Sequence, residues 1–159
     1  MSMFAVRGVT ILPMLLSTLE YSLLPCLSRM LTNFPVMLAY LYGSTARGRA
    51  TPLSDIDIAL VVNKDEFDPV DRLKLELEIE EQIVNACELR QAEVRIINDA
   101  PIIFRGEVVN DGILLYSRSE EFRVDFETFT RSEYFDFLPV AALHREAYFK
   151  RLRTRGFHG

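Results

Sequence analysis

The sequence predicts an α/β or α+β domain in two layers, a sheet with helices packed against it. Three observations carry that expectation. Apolar runs of strand length alternate with longer stretches of helical period. Polar, proline- and glycine-bearing segments separate them. Two carboxylates at alternate positions lead one of the apolar runs, which puts both on a single sheet face. The composition is that of a globular chain, with 49% hydrophobic and 26% charged residues. We expect one domain over residues 1–159, with a core at about 13–117 and a C-terminal helical extension at about 118–155. A chain of this length buries roughly 70% of its unfolded surface.

Residues 1–12 carry no clear period and read as a strand or an adaptable arm. From 13 to 31 apolar residues recur at helical spacing (Leu16, Leu19, Leu23, Leu27, Leu31). Pro25 ends or kinks that helix, or begins a second one, because it lacks an N–H and clashes inside a helix. The turn Asn33-Phe34-Pro35 leads into a strand at Val36–Tyr42. A second strand follows at 58–62, opened by Asp55-Ile56-Asp57. Residues 71–84 alternate like a strand at Leu73, Leu75, Leu77 and Ile79, yet the segment is long and rich in Glu, Leu and Lys. Those are good helix formers, so we expect a helix with Val70, Leu73, Leu77, Val84 and Cys87 on its packed face. Its glutamates are expected to form a solvated flank. A third strand is expected at 92–97, a helix from Asn98-Asp-Ala-Pro101 to Asn110-Asp-Gly112, a fourth strand at Ile113–Ser117, and helix from Ser119 onward. The basic tail after Arg151 is expected to fray. No internal repeat or low-complexity segment is present.

The informative stretch runs from Leu41 to Val62, with Gly43-Ser44 at the end of one strand and Asp55-Ile56-Asp57 at the start of the next. On a strand Asp55 and Asp57 share a face, their Cα atoms roughly 6.6 Å apart. Carboxylates so placed can converge on one or two Mg²⁺ ions, which prefer oxygen ligands. Gly43 has no Cβ, so a phosphate can approach its backbone, and the amides from Ser44 onward can form an anion-binding concavity. A phosphate cradle beside paired metal carboxylates is equipment for moving a phosphoryl or nucleotidyl group. The alternative for the aspartates is a pair of turn-capping acids. Arg47 either pairs with phosphate oxygens or points outward from its loop.

Gly43-Ser44-Thr45-Ala46-Arg47-Gly48 followed by Ser54-Asp55-Ile56-Asp57 resembles the signature of the minimal nucleotidyltransferases (MNT), a branch of the polymerase β-like superfamily. The resemblance runs from about Phe34 to Tyr116 and more loosely to the C-terminus. It implies the polymerase β-like nucleotidyltransferase fold, a small mixed sheet flanked by helices, which makes the class α+β. It implies transfer of a nucleoside monophosphate from an NTP, with Asp55 and Asp57 holding Mg²⁺ and Gly43, Ser44 and Arg47 binding nucleotide. A third acid completes such a site and helps deprotonate the acceptor. Glu93 stands on the next strand, where the family usually has aspartate. The extra methylene displaces the carboxylate, and transfer chemistry is sensitive to misplacements of that size. The alternative is that Glu93 is an ordinary strand-end acid.

The net charge of −5 argues against generic nucleic-acid binding, which needs a basic footprint, but not against a local nucleotide site. Cys26 and Cys87 lie in apolar surroundings without metal-ligand spacing and are expected as two buried thiols in a reducing cytosol. Arg7 and Glu20 interrupt the apolar N-terminus and no small-residue cleavage site follows, so neither a signal peptide nor a membrane span is expected. The chain reads as cytoplasmic. His144 and His158 have no nucleophile or cysteine partner and are expected at the surface.

Antibiotic nucleotidyltransferases of the kanamycin type add a second helical domain that holds the drug, and none is expected in a sequence of this length. MNT proteins of this size resemble antitoxins of type VII-like HEPN/MNT toxin–antitoxin modules. The resemblance therefore implies a HEPN-domain ribonuclease toxin as partner, ATP as substrate, and AMP placed on a toxin tyrosine hydroxyl in a hetero-oligomer. Two alternatives stay open: a binding-only antitoxin that occludes the toxin, and a stand-alone nucleotidyltransferase acting on a small molecule or an RNA end. The dense aromatic series Phe122, Phe126, Phe129, Tyr134, Phe135 and Phe137 is expected to be mostly core, with the remainder a surface for the partner.

Overall fold

The computed structural model describes residues 23–47, 55–63 and 67–155. In chain order its elements are α1 (helical residues 23–31), β1 (Val36–Tyr42), α2 (Gly43–Ala46), β2 (Ile56–Val62), α3 (Pro69–Ala86), β3 (Ala92–Ile96), α4 (Ile102–Asp111), β4 (Ile113–Ser117) and α5 (Glu120–Arg155). The expected arm at 1–12, the expected helix before Leu23, Gly48, Ser54 and His158 lie outside the described residues. Pro25 falls within helical residues 23–31.

The four strands make one sheet in the order β3-β2-β1-β4. β1 pairs antiparallel with β2 and β4, whereas β2 and β3 run parallel. The sheet is therefore mixed, as expected, and α3 supplies the crossover that a parallel pair requires. Successive residues of β2 point to opposite faces. Ile58, Leu60 and Val62 pack with Leu27 and Leu31 of α1 and with Ile79 and Ile83 of α3. Ala59 and Val61 pack with Val108 of α4 and with Phe122 and Phe126 of α5. Helices thus cover both faces, adding a second covering layer to the one expected.

α3 is a helix, begun by Asp68, whose carboxylate accepts from the Val70 N–H, with Pro69 at its first position. Its packed face is not the expected one. Val70, Leu73 and Leu77 are exposed, while Ile79 and Ile83 are buried and Leu75, Val84 and Cys87 half-buried. The reason lies in β3, which is a sheet edge. Its outward N–H groups need acceptors, and an unpaired edge is also a site for unwanted pairing. Glu76 Oε1 accepts from Ile96 N at 2.8 Å and Glu80 Oε2 from Val94 N at 3.3 Å. These two glutamates turn inward to cap the edge, so the acidic flank is only partly a solvated one.

Cys26 and Cys87 are a disulfide, with Cα atoms 5.8 Å apart, rather than the expected pair of free thiols. The sheet face brings α1 against the C-terminal end of α3, two segments 61 residues apart in sequence. Arg118, just after β4, holds the end of α1 by donating to the carbonyls of Leu31, Thr32, Phe34 and Val36. It thereby satisfies acceptors that a helix end leaves open.

α4 and α5 pack closely because residue 106 is glycine. A Cβ there would overlap the ring of Tyr134. Tyr40 of β1 reaches into the same interface, its hydroxyl donating to Glu127 at 2.9 Å, and Arg123 and Arg131 both pair with that carboxylate. Burial holds the Tyr40 phenol well above the ordinary range, and the Glu127 charge adds to it. The aromatic series divides more evenly than expected. Phe122, Phe126 and Tyr134 are half-buried, whereas Phe129, Phe135 and Phe137 are exposed. α5 continues through Pro139 to span about 54 Å at 1.5 Å per residue. In its second half Leu143, His144, Tyr148, Phe149 and Leu152 are exposed. No described helix is long and apolar enough to cross a membrane.

Candidate functional site

The candidate site forms where β1 ends and β2 begins. β1 delivers the chain into Gly43, whose φ of +74° belongs to the left-handed region that favours glycine. This turn starts α2, a single turn whose first amides receive no side-chain cap. Amides left open in that way suit an anion. Thr45 Oγ1 donates to the Asp55 carbonyl at 3.5 Å, which ties the turn to the start of β2.

The antiparallel register sets Tyr42 opposite Asp57, and the parallel register sets Asp57 opposite Glu93. Tyr42, Asp57 and Glu93 therefore form a row across three strands, with Asp55 two residues before Asp57 on the same face. The Asp57 carboxylate lies against Gly43, since a Cβ at 43 would overlap its Oδ2. Absence of a side chain at 43 thus serves the carboxylate as well as the turn. The two halves of the sequence motif meet at this point.

Electrostatics agree with the crowding of acids. The Asp57 carboxyl is pushed above its ordinary range, first by burial, then by the Glu93 charge and then by Asp55, with Arg95 opposing. The Tyr42 phenol is pushed up to about 12 by burial and by the Asp57 charge beside it. Glu93 itself is engaged by Arg95, whose Nε donates to Glu93 Oε1 at 2.7 Å and whose second guanidinium nitrogen lies 2.6 Å from the same oxygen.

A cavity of about 340 Å³ opens beside the row, between α2 and α4. Gly43, Ser44 and Arg47 line one side and Phe104, Glu107 and Asp111 the other. Phe104 meets Tyr42 edge to face with centroids 5.4 Å apart. Ser44 and Arg47 are exposed, and Asp55, Asp57 and Glu93 stand outside the cavity lining, with Asp57 bordering it through Gly43.

Among the described residues, no three Asp, Glu, His or Cys side chains converge as an ion site in their present rotamers. The donor set nevertheless fits a hard divalent cation. All donors are carboxylate oxygens, and the charges of Glu93 and Asp55, which add to burial in raising Asp57, are what such an ion relieves. Glu93, the candidate third acid, is bonded to Arg95 instead. Sequence reasoning missed Tyr42 and Arg95. Both were signalled by position, Tyr42 directly before the turn and Arg95 two residues after Glu93 on the same strand face.

The sequence model of the polymerase beta nucleotidyltransferase family matches residues 27–121. The chain belongs to that nucleotidyltransferase family. Solved structures agree with this assignment at the level of fold. A toxin–antitoxin crystal structure with AMP-PNP aligns with a TM-score of 0.63 at 20% identity, covering 79% of this chain and 98% of that one. The structure of a tri-AMPylated Shewanella oneidensis HEPN toxin in complex with MNT antitoxin aligns at 0.56 and 19% identity, covering 84% and 98%. The MntA–HepT toxin–antitoxin structure aligns at 0.55 and 20%, covering 76% and 92%. No curated protein matches the chain. The matched segment contains both halves of the Gly43–Asp57 motif and Glu93, so the family resemblance and the row of acids coincide.

Proposed function

We propose that this chain is an adenylyltransferase antitoxin that moves AMP from ATP to a tyrosine hydroxyl of a HEPN-domain ribonuclease toxin. The observation that carries the reading is the contact of the Asp57 carboxylate with Gly43, in register with Glu93. It joins a phosphate-accepting turn to a row of metal-type carboxylates. Likeness in fold to a toxin–antitoxin complex with AMP-PNP, and to one whose toxin is tri-AMPylated, supports the choice of substrate and partner.

In this reading Gly43 and Ser44 present their amides to the triphosphate, and Arg47 at the cavity rim adds a cation. Asp55, Asp57 and Glu93 would hold one or two Mg²⁺ ions, which neutralise the charge developing on the phosphate oxygens. The acceptor hydroxyl oxygen attacks the α-phosphorus, its proton passes to a carboxylate of the row, and the bond to the β-phosphate breaks to release pyrophosphate. Glu93, half-exposed on the edge strand β3, is our choice for that proton acceptor. The modified toxin gains bulk and negative charge at its RNA-binding surface. Exposed Phe129, Phe135 and Leu143, which share one side of α5, form our candidate surface for the toxin. We place the pair in the cytoplasm, where the Cys26–Cys87 bridge would meet reducing conditions.

One observation favours a second reading, a binding-only antitoxin: Glu93 is glutamate and is already bonded to Arg95. Incubation with labelled ATP, Mg²⁺ and a co-expressed HEPN partner separates the two. Transfer requires label on a toxin tyrosine that disappears in Asp57→Asn. Neutralisation that survives Asp55→Ala and Asp57→Ala, with no label, overturns transfer in favour of occlusion.

A further inference from the structure

We propose that Arg95 is a positioning residue, the resident counter-cation of the acid row, which keeps the Glu93 carboxylate to itself until a divalent cation claims it. The inference rests on the nucleotidyl-transfer reading and adds a control element to it. β3 is the edge of the sheet, so no further strand supplies positive charge on that side. Arg95 stands two residues after Glu93 and therefore on the same face. It lies in register with Ala59 of β2, and its guanidinium runs back along β3 to Glu93. Two guanidinium nitrogens converge on one Glu93 oxygen, at 2.7 and 2.6 Å. The same cation opposes the repulsion acting on Asp57. A metal entering the row must therefore displace a cation already there, and cation affinity is set by that exchange as well as by the acids.

An edge-strand ion pair with a purely structural role would leave metal affinity unchanged, so metal affinity is the measurement. The probe is Mn²⁺, titrated into the full nucleotide-free chain at low salt and followed by the electron paramagnetic resonance of free Mn²⁺. The exchange predicts that Arg95→Gln binds Mn²⁺ roughly fivefold more tightly than the parent, the weight of an exposed ion pair. Arg95→Lys keeps the charge and should match the parent. The double variant Glu93→Gln with Arg95→Gln should bind like Glu93→Gln alone, because the gain passes through Glu93. The gain should also shrink at high salt. Equal or weaker binding by Arg95→Gln overturns the role of Arg95, even where Asp57→Asn abolishes binding and so upholds the metal site. Failure of every variant and of the parent to bind Mn²⁺ overturns the metal-dependent transfer reading and this proposal together.

Discussion

The Asp57 carboxylate rests on the backbone of Gly43, so closely that no residue with a Cβ fits at position 43. In the proposed reading a turn that accepts the triphosphate is thereby placed against an acid. A cation between the two would make that arrangement favourable, and the stability of the chain and its activity are then expected to oppose each other here.

Gly43→Ala tests the contact from the turn side. The substitution adds a Cβ at a φ of +74° and drives it into Asp57. We expect a loss of about 1–3 kcal/mol in urea unfolding, the scale of a strained backbone position. Nucleotide binding, followed by calorimetry, should fall with it. Unchanged stability would mean that the turn opens without cost.

Asp57→Asn tests it from the acid side. The Asp57 carboxyl is raised in the folded state by burial and by Glu93 and Asp55. A raised acid binds more protons folded than unfolded across the interval between the two pKa values, so stability falls as pH climbs through that interval. The contribution is fully present below the unfolded pKa and is lost above the folded one. Asp57→Asn should therefore melt no lower than the parent at neutral pH and lose this acid-side dependence. Its labelling of the toxin should drop by on the order of 100-fold or more, as expected for loss of a metal ligand. Melting curves between mildly acidic and neutral pH check the first claim.

Glu76→Ala should cost about 1–2 kcal/mol, because the Ile96 N–H loses its acceptor at the sheet edge. Glu76→Gln keeps an acceptor oxygen and should cost less. Hydrogen exchange at the Ile96 amide, faster in Glu76→Ala, checks that the effect is local to β3.

Removing the bridge by Cys26→Ser with Cys87→Ser should destabilise the chain by about 2–4 kcal/mol, given the 61-residue separation it closes. Urea unfolding with and without reductant gives the number. Alkylation of the unreduced, denatured chain should find no free thiol.

Phe135→Ser and Leu143→Ser, both at exposed positions of α5, should change stability by less than about 0.5 kcal/mol. If α5 is the toxin surface, each should weaken complex formation measurably on size-exclusion chromatography. Full complex formation with both replaced would place the toxin elsewhere.

The strands, the order of the elements and the Gly43–Asp57 motif were legible in the sequence because they depend on local signals. Alternation, chain length and turn residues mark where β1 and β2 begin, and the Asp-x-Asp spacing by itself puts two acids on one face. The packed face of α3 was not legible. That helix carries one apolar stripe at Val70, Leu73 and Leu77 and another at Leu75, Ile79 and Ile83, and periodicity cannot choose between them. The choice falls to Glu76 and Glu80, which turn inward only because β3 becomes a sheet edge with unpaired N–H groups. The Cys26–Cys87 bridge and the split of the α5 aromatics into packed and exposed sets have the same origin, since each depends on which surfaces the sheet brings together. What the sequence determined alone was the identity and spacing of the candidate chemical groups. Tertiary structure decided their neighbours: Tyr42 and Glu93 on either side of Asp57, and Arg95 on Glu93. Strand register is a long-range property, fixed by the burial of whole faces rather than by any local run of residues.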